Sequence, residues 1–418
     1  MIETIKNAWK IPDLRKRILF TLFMLMVYRL GSFIAVPYIN LDALAGYIEG
    51  NSVLGLLNVI SGDNFKNFSI FAMSITPYIN ASIIMNLLTI AIPALERLQK
   101  QGEEGRKKIA QYTRYFAVVL AIIQALGLTL AMKSILTTDT IFVKLLVITV
   151  ITAGTAFLLW IGEAITDKGI GNGVSLIIFV SIISSIPGSV TNIVSGIQAG
   201  NFPVYMVPVI IIFILLSIMG VVAVQEGTRK IPVQYAKRVV GRKVYGGRNT
   251  HLPLKVNQSG VIPIIFASVV TMFPSTIASF FPNTGWLKAV AEFMTWGRTF
   301  PTILYLILII AFSFFYTLVT FNPVEVAENM QQYGGFIPGI RPGKPTVTYL
   351  QRILNRLTLS GGLFLAVIAI IPIIAGNVLN INLQFSGTSI LIVVGVALET
   401  VKQLEQQMIM RNYKGFLK

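Results

Sequence analysis

The chain has 418 residues, 54% hydrophobic and only 12% charged, with a mean hydropathy of +0.74. A soluble domain of this size is about a quarter charged, so this composition excludes a water-facing globule and points to a helical membrane protein with many spans. The net charge of +17 is read as basic cytoplasmic loops rather than a nucleic-acid surface; the absence of cysteine excludes disulfides and thiol chemistry, and the single His251 argues against a histidine metal site.

Residues 1–17 carry Lys6, Lys10, Arg15, Lys16 and Arg17 but no apolar core, so they do not form a cleavable signal peptide. Ile2, Ile5, Trp9 and Ile11 fit either a short amphipathic segment on the inner membrane face or a frayed tail. A membrane-crossing helix needs ~17–25 mostly apolar residues. Ten stretches approach this: 18–37, 73–93, 114–132, 142–162, 174–196, 205–225, 260–282, 302–321, 356–376 and 388–408. The tenth is the weakest, because its apolar run 390–398 is short and Glu399, Lys402 and Glu405 follow.

Orientation follows from Lys and Arg. The N-terminus, the connections 94–114, 163–173, 226–259 and 322–356, and the C-terminal end hold 28 of the 34 basic residues. The opposite side holds Lys66, Lys133, Lys144, Lys288 and Arg298, and Arg29 lies inside the first span. Both termini are therefore expected in the cytoplasm, which requires an even number of spans and supports the tenth. The long connections 226–259 and 322–356 contain Gly246-Gly247 and Gly334-Gly335 among β-formers and aromatics. They predict two hairpin-like protrusions on the cytoplasmic face, flexible tethers being the other reading.

Three spans are unusually polar. The second carries Ser74, Thr76, Pro77, Asn80, Ser82, Asn86 and Thr89; the fifth carries Ser175, Ser181, Ser184, Ser185 and Pro187; the seventh carries Pro263, Ser268, Thr271, Pro274, Ser275 and Thr276. Such groups are tolerated where they face protein or a water-filled cavity. These spans are expected to line an internal path, or to pack through small polar residues. Arg29 is the one clear intramembrane charge, so the lining suits a large, uncharged, flexible cargo better than an ion. Within 51–71 the apolar run 53–60 is too short to cross, and fits a re-entrant or interfacial helix.

Eight stretches now carry a resemblance: ITPYINASIIMNLL (75–88), GEEGRKKIAQYTRY (102–115), GIGNGVSLIIF (169–179), THLPLKVNQSGVIPIIFAS (250–268), FPSTIASFF (273–281), FNPVEVAENM (321–330), GFIPGIRPGKPT (335–346) and GTSILIVVGV (387–396). In this order, over nearly the whole chain, they resemble the signature stretches of the SecY/Sec61-alpha family of protein-conducting channels. The resemblance implies an all-α membrane protein with ten transmembrane helices in two pseudo-symmetric inverted halves around an hourglass pore. The halves would be 18–196, with a plug at about 53–64, and 205–408, with protrusions at about 226–259 and 322–356; residues 409–418 would form a cytoplasmic tail.

By position, Ile75, Ile79, Val174, Ile178, Ile265 and Ile392 would line the constriction, Val174 standing where isoleucine is common in relatives. Val53, Leu54, Leu56, Leu57, Asn58 and Ile60 would belong to the plug. Spans two and seven would form a lateral gate, with Pro77, Asn80, Met85, Phe266, Phe273 and Thr276 along it. Arg238, Arg242, Lys243, Arg248 and Lys255 on one protrusion, and Arg341 on the other at the position that couples to the SecA motor, would dock SecA or a ribosome, the latter through contacts to RNA phosphates. The resemblance further implies SecE-like and SecG-like small subunits, signal sequences and nascent polypeptides as partners, the bacterial plasma membrane as location, and no cofactor.

Other function classes fit less well. A small-solute transporter would need a charged or specific polar site at mid-membrane. GIRPGKPT is not a phosphate loop, because Pro338 and Pro345 stand where the pattern needs Gly and Ser or Thr. GxSxG and HExxH are missing, and Asp13, Asp42, Asp63, Asp139 and Asp167 fall outside the spans. The chain is therefore expected to do no chemistry and to be driven from outside.

Overall fold

The computed structural model describes residues 2–40, 43–44, 61–62, 64–131, 135–198, 205–235, 238–240, 243–245, 249–280, 285–294, 298–379 and 387–415. The protein is mostly helical. In chain order the first helices are α1 (Ile2–Trp9), α2 (Pro12–Gly31), α3 (Thr76–Ala91), α4 (Pro93–Lys100), α5 (Glu103–Ala131), α6 (Ile141–Lys168), α7 (Gly173–Gln198) and α8 (Met206–Glu226). After a small sheet come α9 (Ile262–Phe280), α10 (Gly285–Phe293), α11 (Thr299–Thr320), α12 (Pro323–Gln332), α13 (Lys344–Leu379) and α14 (Gly387–Gly415). Six of these, α5, α6, α8, α11, α13 and α14, are each long and apolar enough to cross a membrane. The bent pair α3–α4 makes a seventh candidate, while α7 and α9 hold shorter apolar stretches.

Local chemistry sets the helix ends. Pro12 opens α2, where its missing N–H is no loss. The helix stops at Gly31 rather than at 37 as the hydropathy suggested. A Cβ on Gly31 would lie 2.2 Å from the Phe71 ring, and beyond it the Val36 amide donates to the Phe68 carbonyl at 2.9 Å. The chain thus leaves the helix to pair with 68–70. Pro93 forces Ile92 into an extended conformation (φ −106°, ψ 112°) and turns the chain by 98° between α3 and α4. Residues 103–113, expected in a connection, instead form the charged first turns of α5, where Glu103–Lys107 and Glu104–Lys108 pair at 3.2 Å each.

The two expected protrusions are one unit. Strand β1 (Thr228–Tyr235) runs antiparallel to β4 (Asn249–Lys255), from Thr228 opposite Lys255 to Gln234 opposite Asn249. Between them β2 (Arg238–Val240) and β3 (Lys243–Tyr245) pair with each other. Residues 241–242 between these two strands, and Gly246-Gly247, where the hairpin was expected to turn, lie outside the described residues. On its other edge β1 pairs with β5 (Gly335–Phe336), so the second connection adds a strand to the sheet of the first instead of forming its own hairpin. Gly334, at φ +70°, makes the turn out of α12, and Gly335 fits because a Cβ there would meet the Tyr235 ring at 2.9 Å. Ile231, Val233, Leu254, Met330, Ile337 and Leu350 bury the sheet against α12 and α13. Residues 344–356, expected as loop, are the start of the 36-residue α13.

The N-terminal segment packs into the molecule. Ala8 of α1 is fully buried in a cluster with Leu14, Ile170 and Leu404, so α1 rests on α2 and α14.

Candidate functional site

The six residues expected at the constriction come from four helices. Ile75 caps α3 and Ile79 follows one turn later, its amide donating to the Ile75 carbonyl at 3.0 Å. Val174 and Ile178 bear the same four-residue relation on α7, so each pair shares one face of its helix. Ile265 comes from α9 and Ile392 from α14. All six fall in a single apolar cluster, with Tyr28, Phe71, Leu158, Ile161 and Val396 around them. Ile75, Ile178 and Ile392 are buried; Ile79, Val174 and Ile265 are half-buried. None of the six side chains can donate or accept a hydrogen bond.

Two glycines seat α7 at this junction. A Cβ on Gly173 would lie 1.9 Å from the Gly162 carbonyl of α6, and one on Gly162 would meet Val174 at 3.3 Å. The close approach of α6 and α7 therefore fixes where Val174 stands. Nothing in the sequence analysis singled out Gly162. Its signal was a glycine inside an otherwise apolar helix, which marks close packing as often as a break.

A seam runs beside the junction, where α9 meets α3 and α5. Pro77 and Met85 on α3 and Phe266 on α9 are buried, Asn80 is half-buried and Phe273 is exposed. The Asn80 Oδ1 has no hydrogen-bond partner among the described residues. The Thr276 side chain lies outside what is described. Asn86 of α3 donates to the Tyr316 hydroxyl of α11 at 3.5 Å. Phe266 stands edge-on to Tyr316 and Phe312, with ring centroids 5.5 and 5.7 Å away. Tyr316 and Phe312 were missed in the sequence; the aromatic run 312–316 in an aliphatic span was the available signal.

Val53, Leu54, Leu56, Leu57, Asn58 and Ile60 lie outside the described residues. Immediately after them Ser61, Gly62 and Asn64 are buried. Arg29 of α2 is anchored within the protein: its Nη1 donates to Ser184 Oγ of α7 at 3.0 Å and its guanidinium lies over the Phe33 ring, 5.6 Å from the centroid.

On the sheet side, Arg238 opens β2 and Lys243 opens β3, while Arg242 and Arg248 lie outside the described residues. Lys255 is exposed at the end of β4. Arg341 is exposed in the turn between β5 and α13, and its carbonyl accepts from Thr346 Oγ1 at 2.9 Å. Gly339 (φ +79°) and Gly343 (φ +92°) frame that turn. Among the described residues no group of His, Cys, Asp or Glu could hold a metal ion.

These features define a class: a multi-pass helical membrane protein in which four helices share an apolar cluster, with a small sheet that carries Arg238, Lys243 and Lys255. The SecY family model matches residues 69–401. The chain is 47% identical to the protein translocase subunit SecY of Halalkalibacterium halodurans and 46% identical to that of Bacillus subtilis, in both cases over 100% of each chain. It belongs to the SecY family. Its fold is similar to that of a solved protein-conducting channel (TM-score 0.68, 19% identity, 97% of each chain) and to Sec61 in a canine ribosome-channel complex (TM-score 0.64, 18% identity, 97% of each chain).

Proposed function

We propose that the chain is a protein-conducting channel that passes unfolded secretory polypeptides across the bacterial plasma membrane and releases apolar segments sideways into the bilayer. One observation carries this reading: six aliphatic side chains from α3, α7, α9 and α14 fall in one apolar cluster. A narrow ring of this kind offers water and ions no hydrogen bonds, so it tends to dewet and block them. The same side chains can part around an extended polypeptide.

In this reading ten helices form two inverted halves about an hourglass pore, both termini are cytoplasmic, and 53–64 plugs the outer funnel. The α3–α9 seam is the lateral gate. An apolar signal sequence leaving through it gains ~0.8 kcal/mol per buried CH₂, enough over ~10 residues to bias a two-state opening. The basic sheet and the Arg341 turn dock a SecA-type motor or a ribosome, which supplies the drive, and SecE-like and SecG-like subunits complete the complex. Support for these partners is the naming of the relatives as translocase subunits and the ribosome-bound state of one structural neighbour.

The test uses the absence of cysteine from the chain. Single cysteines at Ile79 and Ile265 should crosslink to a secretory precursor stalled in transit, whereas one at the exposed Leu216 on α8 should not. Crosslinks at Leu216 alone would refute the reading.

A further inference from the structure

Ser61, Gly62 and Asn64 are bound to α2 and α7 by polar groups set inside apolar packing; Asp63 between them lies outside the described residues. Tyr28 and Asn64 are fully buried. The Tyr28 hydroxyl lies 2.5 Å from Ser181 Oγ, and Ser181 Oγ itself donates to the Ile177 carbonyl at 2.8 Å. The Tyr28 hydroxyl also lies 3.4 Å from the Ser61 carbonyl, to which it can donate. Asn64 Nδ2 in turn donates to the Tyr28 hydroxyl at 2.8 Å and to the Ser61 carbonyl at 2.6 Å. The result is a polar relay that joins Asn64, Tyr28, Ser181 and the backbone of α7.

A second link runs beside it. Ser184 Oγ reaches the Gly62 carbonyl at 3.3 Å and the Ser181 carbonyl at 2.7 Å, and accepts from Arg29 at 3.0 Å. Gly62 has φ +69°, and a Cβ there would lie 2.5 Å from the Ser181 carbonyl. The turn thus sits directly on the α7 backbone, where no larger residue fits.

Packing alone does not call for this arrangement. Phe in place of Tyr28 and Ala in place of Ser181 would fill nearly the same space without burying polar atoms. A buried polar network gains only when every member is satisfied, and loses sharply when one leaves. It therefore favours one position of the turn over all near neighbours. Ordinary close packing would be more forgiving.

We propose that Tyr28, Asn64 and Ser181 are positioning residues. Together they form a polar lock that holds Ser61, Gly62 and Asn64 against α2 and α7 and sets how tightly the resting channel is sealed. The link to the seal rests on the proposed channel function and on 53–64 being its plug.

The test is made in the complete translocase in lipid vesicles. Ser61→Cys, introduced into the cysteine-free chain, reports departure of the turn through its labelling rate with a membrane-impermeant maleimide. Resting ion conductance reports the seal. Adding Tyr28→Phe should raise the labelling rate about tenfold, the loss expected for one well-made buried hydrogen bond. Ser181→Ala should do the same, and the double variant should exceed neither single, because both cut one relay. Ser181→Thr, which keeps the hydroxyl, should label at the original rate. Conductance should rise in step, while export of a precursor with an intact signal stays unchanged.

Unchanged labelling in both Tyr28→Phe and Ser181→Ala would overturn the lock. Faster labelling at constant conductance would overturn its role in the seal. Deleting 53–60, which leaves the lock residues in place, separates the two levels. If that deletion does not raise conductance, the plug reading falls, and the labelling result still decides whether the lock exists.

Discussion

Ile392 and Gly173 represent two ways in which one side chain governs the junction. Ile392 contributes aliphatic surface to it, and an amide there would offer water a hydrogen bond in the one place that now has none. Ile392→Asn should therefore loosen the closed state, and precursors with a shortened apolar signal core should be exported about tenfold better. Unaltered stringency would remove Ile392 from the gating set. Gly173 acts through space. Ala there would collide with the Gly162 carbonyl, and overpacking of this kind costs roughly 1–3 kcal/mol. Gly173→Ala should lower the unfolding midpoint by several degrees in a thermal scan. Arg341 is different again: its backbone is held by Thr346 and its side chain is free to meet a partner. Arg341→Glu should abolish motor-driven export in reconstituted vesicles and leave membrane assembly intact. The six junction residues were legible only through family resemblance, since composition treats every isoleucine alike. The Gly162–Gly173 contact was not legible, because a glycine's value there depends on a helix that approaches it in space.

Among elements, the sheet departs most from what the sequence suggested. Gly246-Gly247 and Gly334-Gly335 look like two separate turns, and each is flanked by strand-forming residues. Yet β1 takes its second partner from residues about 100 positions later, and no local pattern encodes such a pairing. The consequence is mechanical: the Arg341 turn is tied to β1 through β5. Gly335→Val would push against the Tyr235 ring and separate β5 from β1. It should reduce motor-driven export severalfold with Arg341 itself untouched. A restoring second change, Tyr235→Ala, should recover export, and failure to recover it would show that the strand pairing is not what matters.

At the scale of the whole molecule, hydropathy reports exposure to lipid better than it reports crossing. In the most apolar 18-residue stretch of Val207–Glu226, 11% is buried at a mean hydropathy of 3.0, whereas in that of Gly387–Ile409, the weakest of the ten in the sequence, 50% is buried at 1.4. The rule is not general, since Lys344–Ile374 is 44% buried at a mean hydropathy of 2.5, so it is the small and polar residues of α14 that made that span hard to read. Deleting 56–62 tests the complete assembly. It should raise ion leakage of resting vesicles while secretory precursors still cross, and an unchanged conductance would count against a plug.

The burial of Ala8 beside Leu404 joins the first helix to the last. During synthesis α1 and α2 are made hundreds of residues before α14, and for that interval Ile170 can cover Ala8 and Leu14 but Leu404 cannot. A chain cut before α14 would leave that patch of apolar surface open, a mark by which such copies differ from those that carry α14.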